Sequence, residues 1–219
     1  MPTNILKSKV KKSLYLYPIV HRFSGNKWSK YTNENTDICL EGYPSSANSF
    51  VYNVVKKAFE GKNVSHHTHT ISNVKKAIKL NVPTLVLIRS PKEAISSRCV
   101  RFEIKTEEAI IQYYEFYKFI EKVRDKIFLL CFEEAVNKTS SAMREFEEYS
   151  KLKMTNKIDG KTEAEIKKEI SKWSKKNDKK TGSLPSEKRY SGKQKYKKIL
   201  SKKSNYGKCE KIYKTINGT

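Results

Sequence analysis

Apolar residues follow two alternating patterns along the chain. Three runs are continuous: Ile38-Cys-Leu40 before Gly42, Leu85-Val-Leu-Ile88 between Pro83 and Ser90-Pro91, and Ile127-Phe-Leu-Leu-Cys-Phe132. Short unalternated runs of this kind fit strands of a parallel sheet buried on both faces. Between and after them, apolar positions recur at helical spacing. Phe50, Val51, Val54, Val55, Ala58 and Phe59 form one face, stopped at Gly61, and Ile71, Val74, Ala77 and Ile78 another. Pro91 suits the first turn of a helix running to about Phe102. Ile110, Tyr113, Tyr114, Tyr117 and Ile120 mark a longer helix, with the three tyrosines read as core. The spacing predicts further helices over 139–152, from Thr162 with Ile166 and Ile170 inward, and from Ser186, Lys-rich and weakly amphipathic. A short extended piece is expected at Val64.

Strands alternating with helices of this length give an α/β fold with a mainly parallel central sheet. Ligands of such sheets sit at the carboxyl ends of strands, near a topological switch point. Three stretches fall at that edge: Gly42–Ser49, His66–His69 and Arg89–Ser97. The first is a loop of small and hydroxyl residues running into a helix. Such a loop offers free backbone N–H groups and the positive end of a helix dipole to an anion.

The chain has 219 residues, 46 basic against 23 acidic, and the imbalance is uneven. Residues 1–150 hold 24 basic side chains against 16 acidic; residues 151–219 hold 22 against 7. That field favours anionic partners without selecting among nucleotides, nucleic acids and membrane surfaces. Residues 1–35 read as a lead-in packing on the domain, 36–200 as one α/β domain, and 201–219 as a basic tail too poor in apolar residues to be fully ordered. Cys39, Cys99, Cys131 and Cys209 form no CxxC pair and fit reduced, mostly buried thiols. The basic start, Met1 to Lys12, leads into no apolar run of signal-peptide or membrane-spanning length, so a soluble, cytoplasmic protein is expected.

Gly42-Tyr-Pro-Ser-Ser-Ala-Asn-Ser49 has the length of a Walker A loop, but Ala47 stands for its second glycine and Asn48 for its lysine. The best strand ends in Arg89, a cation that suits a phosphate directly, rather than in a carboxylate for magnesium. His66, His67 and His69 have no Cys or carboxylate at usual ligand spacing, so no metal is expected.

These motifs together resemble the sulfotransferase family, cytosolic-type and bacterial, that uses 3′-phosphoadenosine 5′-phosphosulfate (PAPS). Tyr43-Pro-Ser-Ser-Ala-Asn-Ser-Phe50 resembles its 5′-phosphosulfate loop, commonly Y-P-[KR]-S-G-[TN]-T-[FW]. Leu85 to Ser97 resembles its 3′-phosphate motif, an Arg ending a strand and a Ser eight positions on. His67-Thr-His69 stands where the family has K-x-H. The likeness covers roughly residues 36 to 136, with a looser match at Leu184 to Lys193. It implies a P-loop NTPase-like three-layer fold and PAPS as donor without a metal. By position it implies Ser45, Ser46, Ala47, Asn48 and Ser49 around the 5′-phosphate and Phe50 near the adenine. Arg89 and Ser97 would hold the 3′-phosphate, with Arg189 and Lys193 closing over it. His69 would be the catalytic base, with His67 beside it, and the acceptor a hydroxyl of a carbohydrate, lipid or small metabolite.

One position departs from the family. Ser45 stands where a Lys or Arg neutralises the bridging oxygen, and losing one preorganised donor costs roughly 3–4 kcal/mol of transition-state stabilisation. Two readings stay open: His67 or a tail lysine supplies a substitute charge, or the protein is catalytically weak and binds PAPS or its product PAP. From other classes, a nucleic-acid binder driven by the Lys-rich tail and a P-loop kinase using Glu133 or Glu134 stay open. No interleaved aromatic and Arg pattern points to a specific nucleic acid, and nothing in the sequence fixes the oligomeric state.

Overall fold

The computed structural model describes residues 9–25, 29–177 and 187–218. Helix α1 (Leu16–Phe23) precedes strand β1 (Ile38–Gly42), helix α2 (Asn48–Ala58), strand β2 (Val64–His66) and helix α3 (Ile71–Lys79). Strand β3 (Thr84–Ile88), helices α4 (Pro91–Phe102) and α5 (Thr106–Lys122), and strand β4 (Phe128–Cys131) follow. Helices α6 (Phe132–Asn137), α7 (Thr139–Ser150), α8 (Gly160–Asn177), α9 (Glu187–Leu200) and α10 (Tyr206–Asn217) complete the order.

The four strands pair in parallel in the order β2-β1-β3-β4. Because β3 is unalternated, its side chains fill both faces of the sheet. Leu85 and Leu87 pack with Ile38 and Leu40 of β1 against α2, α7 and α8. Val86 and Ile88 pack against α3, α4, α5 and α10. Each buried aliphatic side chain contributes about 1.5–3 kcal/mol, and β3 supplies four, which makes it the spine of the three-layer α/β fold. The chain leaves β1 toward β2 on one side and returns as β3 on the other. The switch point therefore lies between the ends of β1 and β3, where residues 43–47 and Arg89 stand.

Three features differ from the sequence-based expectations. Strand β4 is buried only at Leu130, with Phe128, Leu129 and Cys131 half-buried, because it is the sheet edge and one flank has no neighbouring strand. Helix α6, directly after β4, has no counterpart in the periodicity reading. The segment after Ser201 carries α10, whose Tyr206, Cys209, Ile212 and Ile216 are buried in the core shared with α5. Four inward side chains at spacings of three or four residues suffice to order this basic helix.

Ahead of β1, Lys30 bridges His66 in antiparallel fashion, and Thr32 N–H donates to Asn73 Oδ1 at 2.8 Å, so the lead-in closes the β2 edge. Gly192 lets α9 lie against α4: a Cβ there would meet Val100 at 3.2 Å.

Candidate active site

The loop after β1 turns sharply into α2. Ser45 (φ 72°) and Ala47 (φ 66°) both adopt left-handed backbone, costly for residues with a Cβ, and Ala47 caps the helix. Gly42 is required by close approach, since a Cβ would come within 2.9 Å of Asn48 Oδ1 and of Leu87. Asn48 Nδ2 donates to the Tyr43 carbonyl at 3.0 Å and closes the loop from inside. Asn48 Oδ1 and Ser46 Oγ are buried with no hydrogen-bond partner among the described residues.

Tyrosines of α5 brace this edge. Tyr113 Oη donates to the Arg89 carbonyl and Tyr117 Oη to the Leu87 carbonyl, each at 2.7 Å, while the Tyr43 hydroxyl reaches the Ala109 carbonyl at 3.0 Å. Tyr113 and Tyr117 are core residues, as their spacing suggested, and they also fix the backbone from which the loop and Arg89 spring.

Residues 66–70 lie beside the loop. His67 (φ 58°) and His69 (φ 52°) are again left-handed, and a buried carboxylate holds them so. Glu41 Oε1 accepts from Thr68 N–H at 3.1 Å, Thr68 Oγ1 at 2.7 Å and Asn73 Nδ2 at 2.7 Å, and Oε2 accepts from His69 N–H at 2.8 Å. Burial raises the Glu41 carboxyl to about 7, against the pull of these donors. Glu41 escaped the sequence reading because it sits in an apolar run; an acid inside a strand buried on both faces was the available signal.

His69 Nδ1 lies 2.7 Å from the Gly42 carbonyl. That oxygen only accepts, so Nδ1 carries the proton and Nε2 is left as an acceptor, the tautomer a general base needs. Burial, reinforced by His67, lowers the His69 pKa to about 3. His67 Nε2 is 3.1 Å from Ser49 Oγ, and its Nδ1 is 2.6 Å from His66 Nδ1, whose ring stacks on Tyr52. Burial and the nearby Arg101 hold the His67 pKa at about 4. So held, the His67 ring is neutral near pH 7.

Arg89 follows the last residue of β3. Its Nη1 donates to the Ser45 carbonyl at 2.8 Å, Nη2 lies 3.7 Å from Glu93, and the guanidinium covers the Phe132 ring at 3.9 Å. Arg89 Nε is buried with no partner among the described residues. Lys193 and Lys197 of α9 also bind Glu93, Lys193 at 2.7 Å. Burial alone would raise the Glu93 carboxyl, but these two lysines outweigh it and hold it down at about 2. A cleft of about 410 Å³ opens there, lined by Lys92, Glu93, Gln194, Lys197, Lys198 and Ser201.

The fold thus brings Ser45, Ser46, Ala47, Asn48, Ser49, His67, His69 and Arg89 to one edge, with Lys193 joined to Arg89 through Glu93. Ser97, half-buried, stands two turns beyond Arg89 on α4. The Phe50 ring packs against the α2–α8 core, with Lys167 Nζ 5.6 Å from its centre. The Arg189 side chain lies outside the described residues, as do residues 178–186 within the looser Leu184–Lys193 match. The sequence reading also missed Arg98 and Arg101 of α4. Arg101 Nη1 reaches Ser45 Oγ at 3.5 Å, and Arg98 lies 5.5 Å from the Tyr43 ring centre. Their i, i+3 spacing after Ser97 was the signal. Among the described residues no three His, Cys, Asp or Glu side chains converge as a metal cluster, and no helix is long and apolar enough to cross a membrane.

No family model matches the chain, and no curated protein matches it. Among solved structures it is similar to mouse sulfotransferase SULT7A1 complexed with PAP, at 10% identity and a TM-score of 0.49, over 84% of this chain and 90% of that one. At that identity and score the likeness says nothing of what this chain binds, which has to be read from its own residues.

Proposed function

We propose that the chain is a PAPS-dependent sulfotransferase acting on a hydroxyl of a carbohydrate, lipid or small-metabolite acceptor. The observation that carries this reading is the meeting, at the switch point, of a helix-starting loop with a strand-end arginine whose Nε is buried and unpaired, beside a histidine in the base tautomer. The first-turn N–H groups of α2, with Asn48 and Ser49, receive the 5′-phosphate. Arg89 and Ser97 receive the 3′-phosphate, and Lys193 joins them when that phosphate displaces Glu93. Phe50 stacks on the adenine only if Lys167 moves aside. His69 Nε2 takes the acceptor proton.

Catalysis here is positioning plus stabilisation of charge on the leaving phosphate. Isothermal titration with PAP checks the core of the reading. Wild type binds, and Arg89→Ala weakens binding by about tenfold or more, as expected for loss of a charge-assisted contact. Absence of binding, or equal binding by the variant, overturns it. Transfer of radiolabelled sulfate to a panel of hydroxyl acceptors then separates an enzyme from a protein that only holds the nucleotide.

A further inference from the structure

Helix α4 and the strand end before it present three arginines toward the same edge. Arg89 precedes it, and Arg98 and Arg101 stand one turn apart near its end. Arg98 Nη2 donates to Gln112 at 2.8 Å, and its guanidinium lies 5.5 Å from the ring centres of both Tyr43 and Phe102. Arg101 packs over the Phe102 ring at 5.2 Å and extends Nη1 to Ser45 Oγ. Its charge is felt at His67, which in turn contacts Ser49 in the first turn of α2. Ser45, Ser49, His67 and Arg101 therefore border one space in front of the loop. Lys193 and Lys197, the tail lysines with described contacts nearby, are held at Glu93.

We propose that Arg101 is the catalytic cation of this site, supplying from α4 the positive charge that position 45 of the loop does not carry. This rests on the sulfotransferase reading above. In the step it serves, the acceptor hydroxyl oxygen bonds to sulfur while its proton passes to His69 Nε2. The bond from sulfur to the bridging oxygen breaks, and its electron pair stays on that oxygen. PAP thus leaves with one more negative charge on its 5′-phosphate, and the sulfated acceptor is the other product. The Arg101 guanidinium donates to the oxygen that gains the charge. A planar fork fixed over an aromatic ring keeps its direction as charge develops, which is what transition-state stabilisation requires.

The test compares wild type, Arg101→Ala, Ser45→Lys and the double variant Ser45→Lys/Arg101→Ala. Two readouts are taken: PAP affinity by calorimetry, and sulfate release from PAPS to an acceptor or, more slowly, to water. Arg101→Ala is expected to weaken PAP binding by about tenfold, because PAP keeps the charge that Arg101 meets, while losing about a hundredfold to a thousandfold in rate. Measurable residual affinity also shows that the variant folds. Ser45→Lys is expected to restore most of that loss in the double variant, a larger gain than any it gives where Arg101 is kept. Wild-type rate in Arg101→Ala, equal gains from Ser45→Lys in both backgrounds, or a wild type that binds PAP and releases no sulfate each overturns the assignment and leaves the nucleotide reading standing. A wild type that does not bind PAP removes both.

Discussion

Glu41 is the residue on which the geometry of the histidine loop turns. Its carboxylate accepts four hydrogen bonds, two from the backbone of Thr68 and His69, and so offsets the strain of left-handed backbone at His67 and His69. It makes no direct contact with His69 Nε2 and acts by positioning. Glu41→Gln is nearly isosteric and removes a buried charge, so the thermal midpoint should hold or rise. One amide oxygen cannot serve both sides, and the new NH2 opposes an N–H donor, so the loop should shift. We expect transfer to fall by about tenfold to a hundredfold with PAP affinity unchanged. A rate equal to wild type, measured with the same acceptor, would show that the four bonds are only structural. Ser45, Ser46 and Ala47 were legible as small residues before a helix, and only the company of the Arg89 stretch set them apart from an ordinary turn. Glu41 was hidden because its importance depends on which neighbours the sheet brings over it.

Among the elements, β3 and β1 were legible from continuous apolar runs, and α4 from Pro91. What the sequence withheld was which elements touch. Arg98 and Arg101 gain meaning only when α4 is seen to run back along the loop after β1. Lys193, already named through the resemblance, meets Glu93 only because α9 lies on α4, an approach that Gly192 permits. Between these two helices Glu93 holds Arg89, Lys193 and Lys197 in the place where a phosphate would compete for them. Glu93→Gln removes the competitor. PAP affinity should rise by about fivefold, roughly 1 kcal/mol, and should fall more steeply with added salt than in wild type. Titration at two ionic strengths reads both effects, and an unchanged affinity would mean that these lysines do not face the nucleotide.

At the scale of the molecule, burial has consequences for acid stability. His66, His67 and His69 are held near 3, 4 and 3, well below the ordinary histidine range near 6.5, burial being the first cause in each. They are neutral in the fold, whereas the unfolded chain takes up protons below about 6.5. The stability they allow is therefore full above that pH and is lost as pH falls toward 4. Glu41, raised to about 7, works in the opposite direction: it favours the fold at low pH and loses that advantage as pH rises through about 7. Three groups outweigh one, so the thermal midpoint should drop between pH 7 and pH 5, and His66→Phe should flatten the slope. A midpoint that rises on acidification would refute the balance. The net charge of +23, plain in the sequence, foretold none of this, because the three histidines are uncharged in the fold and Glu41 is hidden among apolar residues.

The way α9 and α10 close over α4 and α5 also bears on how the chain is made. All four strands and the phosphate loop have been synthesised by Cys131, yet the lysines that answer Glu93 lie more than sixty residues further on. Until α10 follows, α5 carries an uncovered apolar face where Tyr206, Cys209, Ile212 and Ile216 will dock, the kind of surface on which partly made proteins associate. The lysines that meet Glu93 thus reach it only long after the loop is made, and a chain released soon after Cys131 carries the sheet and its loop with Arg89 and Glu93 uncovered by α9.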